Sequence, residues 1–330
     1  MLVLIGEEDS KRTEFIKKAA ADLGVRLQVI TWNTLQRGFD LLQLKGAVVK
    51  IDPPSYCTID LSQMREQLEE YQNILERLEQ AECRFLNSPN AVCQMLDKRD
   101  TKLRLEKNGI PVTEMFQEEI METEQLTELM KQRKCYSVFV KPRYFSGAAG
   151  VAAFRIHPLH GRMKLYTSCR YLEGKLVNTK KLYCMDSREE ICLLLNKLLS
   201  LGCVIERWHP KADIQGKSYD LRVVFQFGHI AYMVVRQSKG PITNLHLNNQ
   251  AMDIQALGLD ESTVDRIGIL CKEACLAFSG LSMAGIDILL EKGTMRPLII
   301  EMNGQGDLIY RDIYGENQIY REQVRELCRQ

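Results

Sequence analysis

Apolar positions in the first third of this chain follow two rhythms. Short continuous apolar runs occupy residues 2–6, 26–31 and 46–51, and residues 9–23, between the first two, are apolar at helical spacing. Such runs read as strands covered on both faces, and a helix between them implies parallel βαβ units. Residues 61–81 read as a long amphipathic helix, with Leu61, Met64, Leu68, Tyr71, Leu75 and Leu78 recurring every three or four positions. That face packs either inside the chain or against a second copy. Asn87-Ser88-Pro89-Asn90 opens another helix, which continues through 91–108 and stops at Gly109-Ile110-Pro111.

The pattern then becomes mixed. A helix over 123–134 precedes a strand over 137–141, which Pro142 closes, and a small-residue loop over 143–151. Short strands and a helix at 188–199 lead to an apolar strand at 203–208. Residues 220–227 and 230–237 form a hairpin about Gly228-His229, followed by a polar loop over 238–250 and a helix over 261–279. A second hairpin spans 282–306 around a polar turn carrying Gly293, and residues 308–330 end in an amphipathic helix.

Composition adds boundaries. The 330 residues suffice for two or three domains, and 45% hydrophobic with 26% charged residues is ordinary for a soluble globular protein. A net charge of +1 makes no general electrostatic case for nucleic acid or an anionic membrane surface. No apolar run approaches the ~18 residues of a membrane span, and the N-terminus turns acidic too early for a signal peptide. Eleven cysteines are scattered without a C-x-x-C pair or zinc spacing, which reads as buried thiols in a reducing, cytoplasmic setting.

Three polar residues interrupt the second hairpin: Asp287 in its first strand, Glu301 and Asn303 in its second. Glu301 and Asn303 share a strand face about 7 Å apart, and pairing brings Asp287 alongside. Two carboxylates and an amide oxygen are hard ligands suited to magnesium, not zinc. An edge hairpin with solvated polar residues is the plainer alternative, but carboxylates within the run 297–303 are hard to bury unless paired or metal-bound. Lys141 ends a strand just before Ser146, Gly147 and Gly150, which sets an ammonium beside exposed backbone N–H groups, a device for phosphate. The segment lacks the pattern G-x-x-x-x-G-K-[ST], and a loop that merely needs glycine is the alternative. The charge run 97–102, which includes Lys98, reads on its own as a solvated helix face. Residues 6–9 are too acidic for a phosphate loop, so the first domain is not expected to hold the nucleotide. Asp220 and Arg222 share one strand face, and Arg236 stands in the partner strand.

In this order the pieces resemble an ATP-grasp enzyme, and within that superfamily the ribosomal-protein glutamate ligase branch. The resemblance covers most of residues 85–306. It rests on Asp97-Lys98, Lys141 with the 146–150 loop, 204–208, Asp220-Leu221-Arg222, Arg236, Asn244-Leu245-His246, Gly285-Ile286-Asp287 and Glu301-Met302-Asn303. It implies an α/β (α+β) ATP-grasp architecture: a parallel α/β pre-ATP-grasp domain over 1–88, and two α+β subdomains over 89–205 and 206–330 that clasp the nucleotide. It also implies ATP and Mg2+. Lys98, Lys141, Ser146, Gly147 and Gly150 would meet the phosphates; Glu206, Arg207 and Trp208 would face adenine or ribose, with Asp220 also in the nucleotide site. Asp287, Glu301 and Asn303 would hold metal, Arg222 and Arg236 would grip a carboxylate, and Asn244 would orient a reacting oxygen or ligate metal. His246 reads either as a base toward the amine or as ordinary surface.

The reaction implied joins a carboxylate to an amine through an acylphosphate. The carboxylate donor is left open, as is the amine acceptor: a small amino acid, a peptide or a protein. A non-catalytic ATP-binding module and a phosphotransferase are the alternatives, and a homodimer is compatible with the sequence. Two stretches depart from the branch where the acceptor would approach. Asn303-Gly304-Gln305-Gly306-Asp307 replaces its Asn-Ala/Ser-Pro-Gly, and Leu247-Asn248-Asn249 replaces a glycine pair.

Overall fold

The computed structural model describes residues 1–55, 60–145, 147–243 and 250–329. The N-terminal unit runs β1 (Leu2–Gly6), α1 (Lys11–Asp22), β2 (Leu27–Thr31), α2 (Trp32–Gln36), β3 (Val48–Ile51), α3 (Met64–Leu78) and β4 (Arg84–Phe85). Its strands form a parallel sheet in the order β2-β1-β3-β4, as the unbroken apolar runs predict. Alternate residues of β1 serve two cores: Leu2 and Leu4 meet Phe15 and Ile16 of α1, while Val3 and Ile5 meet Leu68 and Leu75 of α3. The apolar face of α3 is thus consumed inside the chain, where Leu75 and Leu78 are fully buried.

The single helix predicted over 91–108 is two helices, α4 (Pro89–Met95) and α5 (Lys98–Lys107). The Asp97 carboxylate accepts the N–H groups of Arg99 and Asp100, so it caps the second helix and breaks the first. Sequence periodicity runs through the break because Met95 of the first helix and Leu105 of the second bury into one core.

The middle of the chain comprises α6 (Thr123–Gln132), β5 (Ser137–Pro142), β6 (Ala152–Ile156), β7 (Met163–Leu172), β8 (Lys175–Met185), α7 (Arg188–Leu199) and β9 (Cys203–Arg207). Its antiparallel sheet is ordered β8-β7-β6-β5-β9. One face packs Val138, Val140, Phe154 and Leu165 against Leu126 of α6 and Leu194 and Leu198 of α7. The other face is left for a cleft.

A third sheet takes β10 (Asp213–Ile214), β11 (Lys217–Gln226), β12 (His229–Ser238), β13 (Gln250–Asp253), β14 (Met283–Leu290) and β15 (Pro297–Asn303), with α8 (Glu261–Leu276) behind it. Its order is β13-β12-β11-β14-β15, with β10 paired to β11. Met95, Leu105 and Ile110 join the core beneath this sheet, not that of the five-stranded sheet. The β11–β12 turn is Phe227-Gly228, one residue earlier than predicted. Both residues have positive φ, 49° and 88°, as a two-residue turn matched to strand twist requires. Finally α9 (Tyr310–Ile313) and α10 (Gln318–Cys328) return to the N-terminal unit, where Ile319, Tyr320 and Val324 share the core of Leu2 and Leu4. No helix among the described residues is long and apolar enough to cross a membrane.

Candidate active site

The register of β14 and β15 sets Asp287 opposite Glu301 and Gly285 opposite Asn303, with a bulge just after Asp287. Asp287, Glu301 and Asn303 therefore share one face, while Ile286 and Met302 turn into the core. On the other side of β14, β11 pairs Arg222 with Asp287, and across β11 and β12 Asp220 is opposite Arg236. Arg222 Nη1 donates to Asp287 Oδ1 at 2.6 Å, and Arg236 Nη2 lies 3.0 Å from Asp287 Oδ2. Arg236 Nε donates to Asp220 Oδ1 at 2.7 Å, and Asp220 also takes Lys211 Nζ at 2.9 Å and the Thr243 hydroxyl. Burial alone would raise the Asp220 carboxyl, but Arg236 and Lys211 overcome it and hold it down at about 2.

The facing wall carries a second buried charge group. Lys102 of α5 and Lys141 of β5 share the Glu206 carboxylate of β9, at 2.6 and 2.9 Å, and the Thr113 hydroxyl donates to it at 2.8 Å. Burial, with a smaller contribution from repulsion by Lys141, pulls Lys102 down to about 8 against the attraction of Glu206; the two lysines keep Glu206 at about 2 against its own burial. One carboxylate between two ammoniums leaves surplus positive charge. Lys98, at the start of α5, donates to the Phe145 carbonyl and lies 3.4 Å from Glu301 Oε1, so it bridges the two walls.

Between these walls lies a cleft in which Phe139, Leu289 and Ile300 offer apolar surface and Lys141, Arg236 and Glu301 a charged end. A larger cavity adjoins it beyond Asp287 and Glu301, walled by Met64, Leu68 and Tyr71 of α3 and by Arg222. An apolar slot leading to cations is the environment a nucleoside polyphosphate needs. The donor set suits magnesium. Glu301 keeps its side chain 29% exposed, the Asn303 amide oxygen accepts the Gln305 N–H at 2.8 Å, and the arginines engage both carboxylate oxygens of Asp287 once each, which leaves lone pairs on them.

Several expected contacts are placed differently. Gly147 reaches the cleft side of the loop, with φ 67°. Gly150 does not: it is buried, its N–H donates to Asn178 Oδ1 at 3.3 Å, and an added Cβ would lie 2.7 Å from Pro142 and 2.9 Å from Leu61. Its glycine answers to packing and a φ of 69°, not to phosphate. Glu206 lines the cleft, but its carboxylate is engaged by Lys102, Lys141 and Thr113 and is not free for adenine or ribose. The N–H groups of Arg207 and Trp208 are also taken, by the carbonyls of Glu114 (2.9 Å) and Ser137 (3.0 Å). The Trp208 ring packs on Phe139 with the Arg155 guanidinium 4.5 Å away, facing an outer cavity. Ser146, Asn244 and His246 lie outside the described residues.

Sequence reasoning missed Lys102, Thr113 and Lys211. Lys102 had a usable signal, since it follows Lys98 by four positions and so shares its helix face. The charge run 97–102 is therefore no wholly solvated face: Asp97, Thr101 and Lys102 are buried. Lys211 follows Pro210 in an irregular segment, with no periodic signal to mark it.

No protein-family model matches the chain, and the comparison with curated proteins found no match. Among solved structures, the chain is similar to D-cycloserine synthetase DcsG at 15% identity, with a TM-score of 0.64 over 99% of both chains. It is also similar to macrocyclase MdnC from Microcystis aeruginosa MRC, bound with precursor peptide MdnA, at 14% identity and a TM-score of 0.63 over 100% of both chains. A third likeness is to ATP-grasp ligase PsnB complexed with precursor peptide PsnA2 and AMPPNP, at 14% identity, with a TM-score of 0.55 over 99% of this chain and 96% of that one. At these identities the likeness is one of fold.

Proposed function

We propose that this chain, whose fold is that of the ATP-grasp ligases, is an ATP-dependent carboxylate–amine ligase that forms an amide bond through an acylphosphate. The observation that carries the reading is one sheet face with Asp287, Glu301 and Asn303 on it, Arg222 and Arg236 paired to Asp287 and Lys98 set against Glu301, where Asp287 and Glu301 line a cleft shared with Arg236 and Lys141. The resemblance to the glutamate-ligase branch in Asp220-Leu221-Arg222 and Arg236 supports a carboxylate as the first substrate. In this reading residues 1–88 form the preceding domain, and 89–205 and 206–330 the two halves of the clasp, with α4 and α5 seated on the second half.

Phosphoryl transfer asks a protein for positioning and charge neutralisation more than for covalent chemistry. Lys98 and Lys141 bind the nucleotide phosphates, and Phe139 and Leu289 sandwich the base in apolar surface. Magnesium held by Asp287, Glu301 and Asn303 would supply positive charge to phosphate oxygens. Arg236, fixed by Asp220, and Arg222, fixed by Asp287 and the Gly306 carbonyl (3.2 Å), present guanidinium forks to the carboxylate and then to the acylphosphate. The Gly147 loop closes over the phosphates to keep water from the acylphosphate. The larger cavity, which adjoins the cleft at Asp287 and Glu301, receives the amine. The ten cysteines among the described residues are all free, which supports a reducing, cytoplasmic setting. An ADP-release screen of carboxylates crossed with amines, including short peptides, tests the function. Turnover with carboxylate alone would point to a phosphotransferase, and nucleotide binding with no release under any pair would remove the ligase reading.

Nucleotide affinity is expected to fall as pH rises. Lys102 loses its proton at about 8 in the free protein, and a bound polyphosphate favours the protonated form, so binding takes up protons near that pH. Between about pH 7 and pH 9 the affinity should fall roughly threefold to tenfold, the size of one partly screened charge. Calorimetry in buffers of different ionisation enthalpy reads both effects. A flat profile would remove Lys102 from the electrostatics of the site.

A further inference from the structure

The stretch 304–307 departs from the resembled branch, and its Gln305 lines the larger cavity. It ties the metal hairpin to the N-terminal unit. The Gln305 side chain is 4% exposed, and both ends of its amide are used. Nε2 donates to the Ile51 carbonyl at the end of β3 (2.9 Å), and Oε1 accepts the Tyr71 hydroxyl of α3 (2.8 Å). Tyr71 is itself held edge-on against Trp32, with ring centroids 5.1 Å apart. Asn87 donates to the Gly304 carbonyl at 2.6 Å and to the Met283 carbonyl at 2.8 Å, and so staples the outer ends of both hairpin strands. Asp307 is fully buried, paired with Arg12 of α1 and, at 3.0 Å, with Lys50 of β3. The same segment orients a metal ligand directly, because the Gln305 N–H donates to Asn303 Oδ1.

We propose that Gln305 is a positioning residue for the metal site, and that through it the N-terminal unit sets the geometry of Glu301 and Asn303. The proposal rests on the reading of Asp287, Glu301 and Asn303 as magnesium ligands. Its physical ground is that Asn303 is the last residue of an edge strand, where backbone pairing ends and side chains would otherwise move. Magnesium demands nearly ideal octahedral ligand placement, so a hinge directly after two ligands would weaken it. Two hydrogen bonds from Gln305 to a different sheet and helix remove that hinge. The residues that hold ligands, more than the ligands alone, then decide metal affinity.

The test measures AMPPNP binding to the full chain by calorimetry, with and without magnesium, and compares the metal-dependent gain in affinity. In Gln305→Ala the gain should shrink about tenfold, while metal-free AMPPNP affinity stays within about twofold of wild type. Tyr71→Phe, which removes one hydrogen bond and leaves the ring in place, should show a smaller loss in the same direction. It carries the test if Gln305→Ala does not fold by circular dichroism. An unchanged metal-dependent gain in the folded variants would overturn the proposal, since a merely structural role for Gln305 lowers stability without selecting the metal step. A wild-type protein with no magnesium-dependent gain would instead sink the magnesium reading, and this proposal with it.

Discussion

Glu301→Ala should reduce magnesium-dependent ATP turnover by about a thousandfold, the several kcal/mol a metal contributes to charge stabilisation. The protein should remain folded. Glu301 is partly exposed and its nearest cation, Lys98 Nζ, sits 3.4 Å away and also donates to Phe145, so truncation strands no buried charge. ADP release and a thermal melt, measured on one preparation, separate these effects. Near-wild-type turnover would take Glu301 out of the site and leave Asp287, already engaged by two arginines, as a structural carboxylate.

Arg236→Ala should cost about 3–5 kcal/mol of stability as well as activity, because it leaves Asp220 and Asp287 buried without a shared cation. The sign with pH follows from Asp220. Its carboxyl is depressed to about 2, so its contribution is present above the ordinary carboxylate range and is lost as pH falls toward about 2. Without Arg236 that loss should begin at higher pH. Arg236→Lys keeps one charge but cannot span both carboxylates with a planar fork, and should retain much of the stability while lowering turnover about a hundredfold. Urea unfolding at several pH values, with kcat/KM for each variant, reads both. Wild-type kcat/KM in Arg236→Lys would show that the fork does not matter.

The elements themselves were readable from periodicity. Continuous apolar runs predicted the parallel sheet, and alternation along two strands placed Glu301 and Asn303 on one face, with Asp287 beside them. That information is local: a strand's period and its partner's register are consequences of which residues repel water. The same logic overlooked the break at Asp97, since a capping carboxylate leaves no mark on hydrophobic spacing.

What the chain alone determined was therefore the row of acidic and basic groups on each strand and the glycine-rich loop beside Lys141. Tertiary packing decided which charges meet. Lys102 and Lys141 close on one carboxylate far along the sequence, Gly150 serves Pro142 and Leu61 instead of a ligand, and Gln305 and Asp307 reach back to β3 and α1. The reason is that an ion pair or a shared hydrogen bond depends on distance and desolvation in the assembled fold, and neither is encoded in the spacing of residues along one element.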